Sequence, residues 1–143
     1  MSKIVPRRGA LTAATQMKQL AIAASVVAAL TLSSVALASG TLTGKYSTTI
    51  KSPAQLKGTW VLNLVKGGTY TVADNGQLLI RGKYSATRSK ITFGHETGSG
   101  ACAKPGTYTW KKTGTTLSFT RISDSAACSG RSGVLAHTFT QQR

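Results

Sequence analysis

The sequence predicts an all-β fold: an antiparallel up-and-down meander of about eight strands, closed into a small barrel. Three observations predict it. After residue 45 there is no helical periodicity, and Thr, Val, Tyr, Ile, Leu, Phe and Trp recur in short alternating runs. Turn residues punctuate those runs about every twelve positions, which makes successive strands neighbours. A Gly-x-aromatic triplet repeats at strand openings, at Gly44-Lys45-Tyr46, Gly58-Thr59-Trp60, Gly68-Thr69-Tyr70, Gly82-Lys83-Tyr84 and Gly106-Thr107-Tyr108. Glycine permits a bend there, and the aromatic two residues on shares its face of the pleat. A meander this long leaves bare edges unless it closes, so a barrel is preferred to an open sandwich.

The first segment is of another kind. From Gln19 to Gly44 there is no charged residue, Lys18 precedes the run, and Val35-Ala36-Leu37-Ala38 ends it. A basic start, an apolar centre and a small-x-small site read as a signal peptide over 1–38, cleaved after Ala38. The run is long enough to span a bilayer, but its Ser, Thr and Ala content favours a cleaved signal over a retained anchor. The expected location is therefore secreted or associated with the cell envelope. Residues 39–55 form an N-terminal segment with a candidate first strand at Leu42 to Ile50, and 56–143 form the barrel domain.

The remaining strands follow in order. Thr59 to Val65 comes after a turn at Ser52-Pro53. Thr69 to Ala73 and Gln77 to Arg81 flank Asp74-Asn75-Gly76, where Asn-Gly favours a tight primed hairpin. Lys83 to Thr87 and Lys90 to Phe93 form another hairpin, as do Thr107 to Lys111 and Thr115 to Arg121 around Lys112-Thr113-Gly114. Val134 to Thr140 is the expected last strand. Glu96 to Pro105 and Ser123 to Arg131 are loops, and each holds one cysteine, Cys102 and Cys128. Two cysteines in a small exported domain read as a disulfide, which would stabilise by about 3 kcal/mol.

Removing the signal leaves 14 basic residues against three acidic ones, a net charge of +11 with His neutral. Such a charge reads first as keeping an exported domain soluble, and it would also draw the domain to an anionic cell-envelope surface. Export argues against nucleic acid as partner. No membrane anchor is expected in the mature chain, and a monomer is.

Alternation assigns an inward face. Trp60, Leu62 and Leu64 share it, with Tyr70 and Val72, Ile91 and Phe93, Tyr108 and Trp110, Leu117 and Phe119, and Phe139. Leu78-Leu79-Ile80 has no readable register, because all three are apolar.

These residues carry a resemblance. Leu56-Lys57-Gly58-Thr59-Trp60, Gly68-Thr69-Tyr70-Thr71-Val72 with Asn75-Gly76, and Gly82-Lys83-Tyr84 open it. Ile91-Thr92-Phe93, Gly106-Thr107-Tyr108-Thr109-Trp110 and Leu117-Ser118-Phe119 continue it. Together they resemble the lipocalin-like (calycin) barrels, specifically small secreted bacterial ones. The resemblance covers about 56–140. It implies a Gly-x-Trp whose Trp60 packs at the closed end of the barrel beneath a late-strand arginine, Arg121 or Arg131. It also implies a small apolar ligand held inside. The candidate lining is Trp60, Leu62, Tyr70, Tyr84, Phe93, Tyr108, Trp110 and Phe119. The alternative is a barrel filled by its own rings, acting through its surface as a protease-inhibitor-like or polyanion-binding module.

Catalysis is not expected, and neither is a cofactor. Three acids and two histidines supply few acid–base pairs. Asp74 belongs to a turn, and Asp124 is read as capping its loop or pairing with Arg131. His95 and Glu96 are adjacent, so an unbroken strand points them to opposite faces. His95, Glu96 and His137 are read as loop and strand residues with no metal between them.

Overall fold

The computed structural model describes residues 42–143. The expected signal peptide, 1–38, and its cleavage after Ala38 lie outside the described residues. The elements are β1 (Gly44–Ile50), a 3-10 turn (Ala54–Leu56), β2 (Gly58–Val65), β3 (Thr69–Asp74), β4 (Gln77–Ala86) and β5 (Lys90–Thr97). They continue with β6 (Gly106–Thr113), β7 (Thr116–Ser123), a second 3-10 turn (Ala126–Cys128), α1 (Ser129–Leu135) and β8 (Phe139–Gln141).

All eight strands pair antiparallel with their sequence neighbours, and β8 returns to pair with β1, closing the barrel. Closure satisfies both edge strands, which would otherwise present unpaired backbone groups. β1 lies in full register against β2, from Gly44 opposite Leu64 to Ile50 opposite Gly58. The domain therefore begins with β1, ahead of residue 56.

The predicted meander departs from the structure in several places: β5 runs on through Thr97 instead of ending at Phe93, and the expected Ser123–Arg131 loop contains a 3-10 turn and the start of α1. Gln77–Ala86 is one strand instead of two. Gly82 pairs with Tyr70, and a Cβ on it would lie 2.6 Å from that ring, so the glycine seats the tyrosine within a continuous strand. The expected last strand, Val134 to Thr140, is mostly not a strand. Val134 and Leu135 end α1, and pairing starts only at Phe139. At the β3–β4 turn, Asn75 and Gly76 both have positive φ, 49° and 83°, as a primed turn requires.

The barrel has a mouth end and a base end. The mouth end carries the long connections: β1–β2 with its 3-10 turn, β5–β6, and β7–β8 with α1. The base end carries the short β2–β3, β4–β5 and β6–β7 turns. Leu42 tucks into the base, where its carbonyl accepts the Tyr84 hydroxyl at 2.6 Å. The core is an aromatic ladder: Tyr70 meets Phe93, Phe93 meets Phe119 and Phe119 meets Phe139, all edge-to-face with centroids 4.9–6.0 Å apart. This geometry suits the ring quadrupoles. Among the described residues no helix is long and apolar enough to cross a membrane.

Candidate functional site

The mouth end is built by a break in the β5 alternation. Ile91 and Phe93 point inward, so strict alternation would send His95 in and Glu96 out. Between Gly94 opposite Lys83 and Thr97 opposite Arg81, β5 carries one residue more than β4. His95 occupies that bulge at φ 50°, and the phase reverses behind it. His95 is exposed, and the Glu96 side chain is fully buried.

Inside, Glu96 meets Arg131 of α1 at 2.6 Å. The same guanidinium binds Asp124, beyond the end of β7, through Nη2 at 2.5 Å and Nε at 2.9 Å. It also donates to the Lys104 carbonyl at 2.7 Å. Tyr70 donates to Glu96 at 2.5 Å, Tyr108 donates to Asp124, and the Cys102 amide donates to Glu96 at 2.6 Å. The pairing of Asp124 with Arg131 was legible in the sequence, and the part of Glu96 was not. Gly106 makes room for this cluster, since a Cβ there would lie 2.7 Å from both Arg131 Nη2 and Asp124 Oδ2.

The electrostatics follow from burial with partners. Burial raises the Asp124 pKa, but hydrogen bonds from Arg131 and Tyr108 and the Arg131 charge outweigh it and hold the carboxyl below its ordinary range. Burial likewise disfavours the Arg131 cation, and its bonds to Asp124 and Glu96 reverse that, so its pKa rises. Burial and the bond to Glu96 push the Tyr70 phenol far up, and burial and the bond to Asp124 do the same for Tyr108. The cluster thus holds one guanidinium between Asp124 and Glu96, with two neutral phenols bonded to them.

Two cross-links pin α1 over the mouth. One is this charged cluster. The other is the disulfide Cys102–Cys128, with Cα atoms 5.6 Å apart, which ties the β5–β6 loop to the residue preceding α1. The helix sequence SGRSGVL has two glycines and two serines, which are weak helix formers. Tertiary contacts hold it instead, through buried Arg131, Val134 and Leu135.

Beneath α1 lies an apolar cavity of about 240 Å³. Trp60, Leu62, Tyr70, Val72, Ile80, Phe93 and Phe139 form its walls, and α1 closes it with Val134 and Leu135. Glu96 and Arg131 supply its one charged edge, and exposed Gln55, Gly100 and Gly130 form the rim. Leu79 also lines it, because a bulge opposite Val72–Ala73 turns Leu79 and Ile80 inward and leaves Leu78 exposed. That bulge sets the register that the uniformly apolar Leu78–Ile80 run left open. The indole of Trp60 donates to the Leu56 carbonyl at 2.7 Å and holds the 3-10 turn against the cavity.

Of the eight expected lining residues, Trp60, Leu62, Tyr70 and Phe93 line this cavity. Tyr108 and Phe119 stand behind it and face a second furrow between β7 and α1, beside exposed Thr120, Arg121 and Ala136. Tyr84 is at the base end, bonded to Leu42 and Val65, and does not reach the cavity. Trp110 is in phase with Tyr108 but lies beyond the β5–β6 pairing, half-buried, with its indole on the Thr87 carbonyl. Neither implied arginine lies over Trp60. Arg131 is in the charged cluster and Arg121 is exposed, and the cation–π contact among the described residues is Lys112 on Tyr46. The cavity side chains that sequence reasoning missed include Leu79 and Ile80 of β4, Glu96 behind the β5 bulge, and Arg131, Val134 and Leu135 of α1. Recognising them required the two bulges and the helix.

Every polar group on the charged edge already has a partner. The arrangement can hold an apolar body and orient it by one charged edge. Among the described residues no three His, Cys, Asp or Glu side chains gather as a metal site. Compared with known proteins, the chain matches no family model, no curated protein and no solved structure.

Proposed function

We propose that this is an exported, non-enzymatic carrier of the lipocalin-like kind, holding a small apolar ligand under α1. The observation that carries the reading is the cavity: about 240 Å³, apolar on nearly every wall, with one charged edge. Binding sites are typically apolar hollows with a few convergent polar groups. A dry cavity of about 150 Å³ already admits benzene, so this one suits a body of about two fused rings. The disulfide and the apolar leader sequence support export. The cavity also favours a carrier over a scaffold filled by its own rings.

The test uses the two tryptophans. Trp60 lines the cavity and Trp110 does not. In a Trp110→Phe variant, a naphthalene-type ligand should quench or shift the remaining indole emission saturably. Leu79→Phe, which places a ring in the cavity from its rim side, should weaken that binding about tenfold or more. Emission that ignores the ligand, or binding untouched by Leu79→Phe, would refute the carrier.

A further inference from the structure

The chain separates its charges. Glu96 and Asp124 are buried against Arg131. The third acid, Asp74, is half-buried in the β3–β4 turn at the mouth end, and no residue before 42 is acidic. Thirteen lysines and arginines other than Arg131 remain among residues 42–143. Six of them, Lys51, Lys57, Arg81, Lys83, Lys104 and Arg121, lie on the barrel wall or at the mouth, and seven lie at the base end. Lys45 opens β1, Lys66 is in the β2–β3 turn, Arg88 and Lys90 bracket the β4–β5 turn, and Lys111 and Lys112 lead into the β6–β7 turn. All six are exposed. Arg143 joins them, since the neighbouring Gln142 amide donates to the Lys45 carbonyl at 2.8 Å. Among the described residues the base end carries no acidic side chain.

We propose that the base end docks on an anionic lipid bilayer. Charge complementarity sets the sign of the partner. Geometry sets its shape. The three hairpin turns project from one end of a closed ring, distributed around its circumference. A linear polyanion lying along one side meets only some of them, whereas a plane across the barrel axis meets all three. Docked this way, the cavity mouth faces away from the membrane. Glu96 and Asp124 both lie at the opposite, mouth end and are paired with Arg131.

Co-sedimentation of the full chain with vesicles tests this. Binding to phosphatidylglycerol–phosphatidylcholine vesicles should exceed binding to pure phosphatidylcholine vesicles and fall steeply with added salt. The leader, with Lys3, Arg7, Arg8 and Lys18, is common to every variant, so the comparison between variants reads the barrel's own contribution. Each basic residue at an anionic surface is worth about a fivefold gain in binding, so K66Q/R88Q/K111Q should lose about 100-fold. The matching mouth-end variant, K51Q/K57Q/K104Q, should lose less than about fivefold, with the near-UV circular dichroism of both unchanged. Equal losses in the two variants would overturn the proposal. So would tighter binding to a linear polyphosphate than to the vesicles at equal phosphate concentration, which would assign the surface to a polymer.

Discussion

Replacing Arg131 with methionine tests the charged cluster most directly. The substitution keeps an unbranched side chain of similar length and removes the charge. It leaves Glu96 and Asp124, both with no side-chain exposure, facing each other's field without a cation. Removing one partner of a buried pair costs about 3–5 kcal/mol, because the remaining charge stays desolvated and uncompensated. A domain of this size is stable by about 5–15 kcal/mol, so the loss is a large fraction of the whole. In thermal melts followed by far-UV circular dichroism, the midpoint should fall by about 12 °C or more. A companion variant, Arg131→Met with Glu96→Gln and Asp124→Asn, removes the stranded charges and should recover part of the loss. A drop below about 1 kcal/mol for Arg131→Met would refute the reasoning, since that is the size of a solvent-screened surface pair. A companion no more stable than the single variant would show that packing, not charge, sets the cost.

Two further outcomes follow from the same end of the barrel. Asp124 is held below its ordinary pKa, so its contribution to stability is present above the unfolded value of about 4 and lost as pH falls below it. The raised phenols of Tyr70 and Tyr108 act with the opposite sense. Their contribution is complete below the unfolded value of about 10 and is lost as pH climbs above it, so urea midpoints should decline at both extremes and be flat between. Gly82→Ala should destabilise by about 1–3 kcal/mol, because the added Cβ would lie 2.6 Å from the Tyr70 ring, and a shifted Tyr70 should also weaken ligand binding measured through Trp60.

The barrel was legible in the sequence wherever a strand kept its two-residue period. Trp60, Leu62 and Leu64 alternate without interruption, and their shared inward face is observed. Turn chemistry was equally direct at Asn75-Gly76, where positive φ selects the residues. What escaped was every feature that breaks the period. The bulge at His95 reverses the phase of β5 and turns Glu96 inward, at a position the sequence indicates as the start of a loop. The bulge at Leu79 turned two adjacent apolar side chains toward one cavity. Gly82 was read as a strand break because glycine often is one, yet here a tyrosine ring on the neighbouring strand occupies the space its missing Cβ leaves. Helix α1 has seven residues, including two glycines and two serines, is too short for a helical period and is held by tertiary contacts. The cavity is assembled from those irregularities. That is why the sequence indicated its rings and missed its charged edge.

The ring closes through a very short link. β8 spans three residues and meets β1 and β7 at only two paired positions each. Local opening favours the segment with the fewest buried contacts, so this seam parts before the rest. When it does, the flanks of β1 and β7 are briefly bare, and bare strands invite pairing with another copy. Lys45 and Lys51 sit at the two ends of one flank and Arg121 on the other. Like charges there would meet like charges on any second molecule, so the thinnest joint of the barrel carries its own guard against self-templated aggregation.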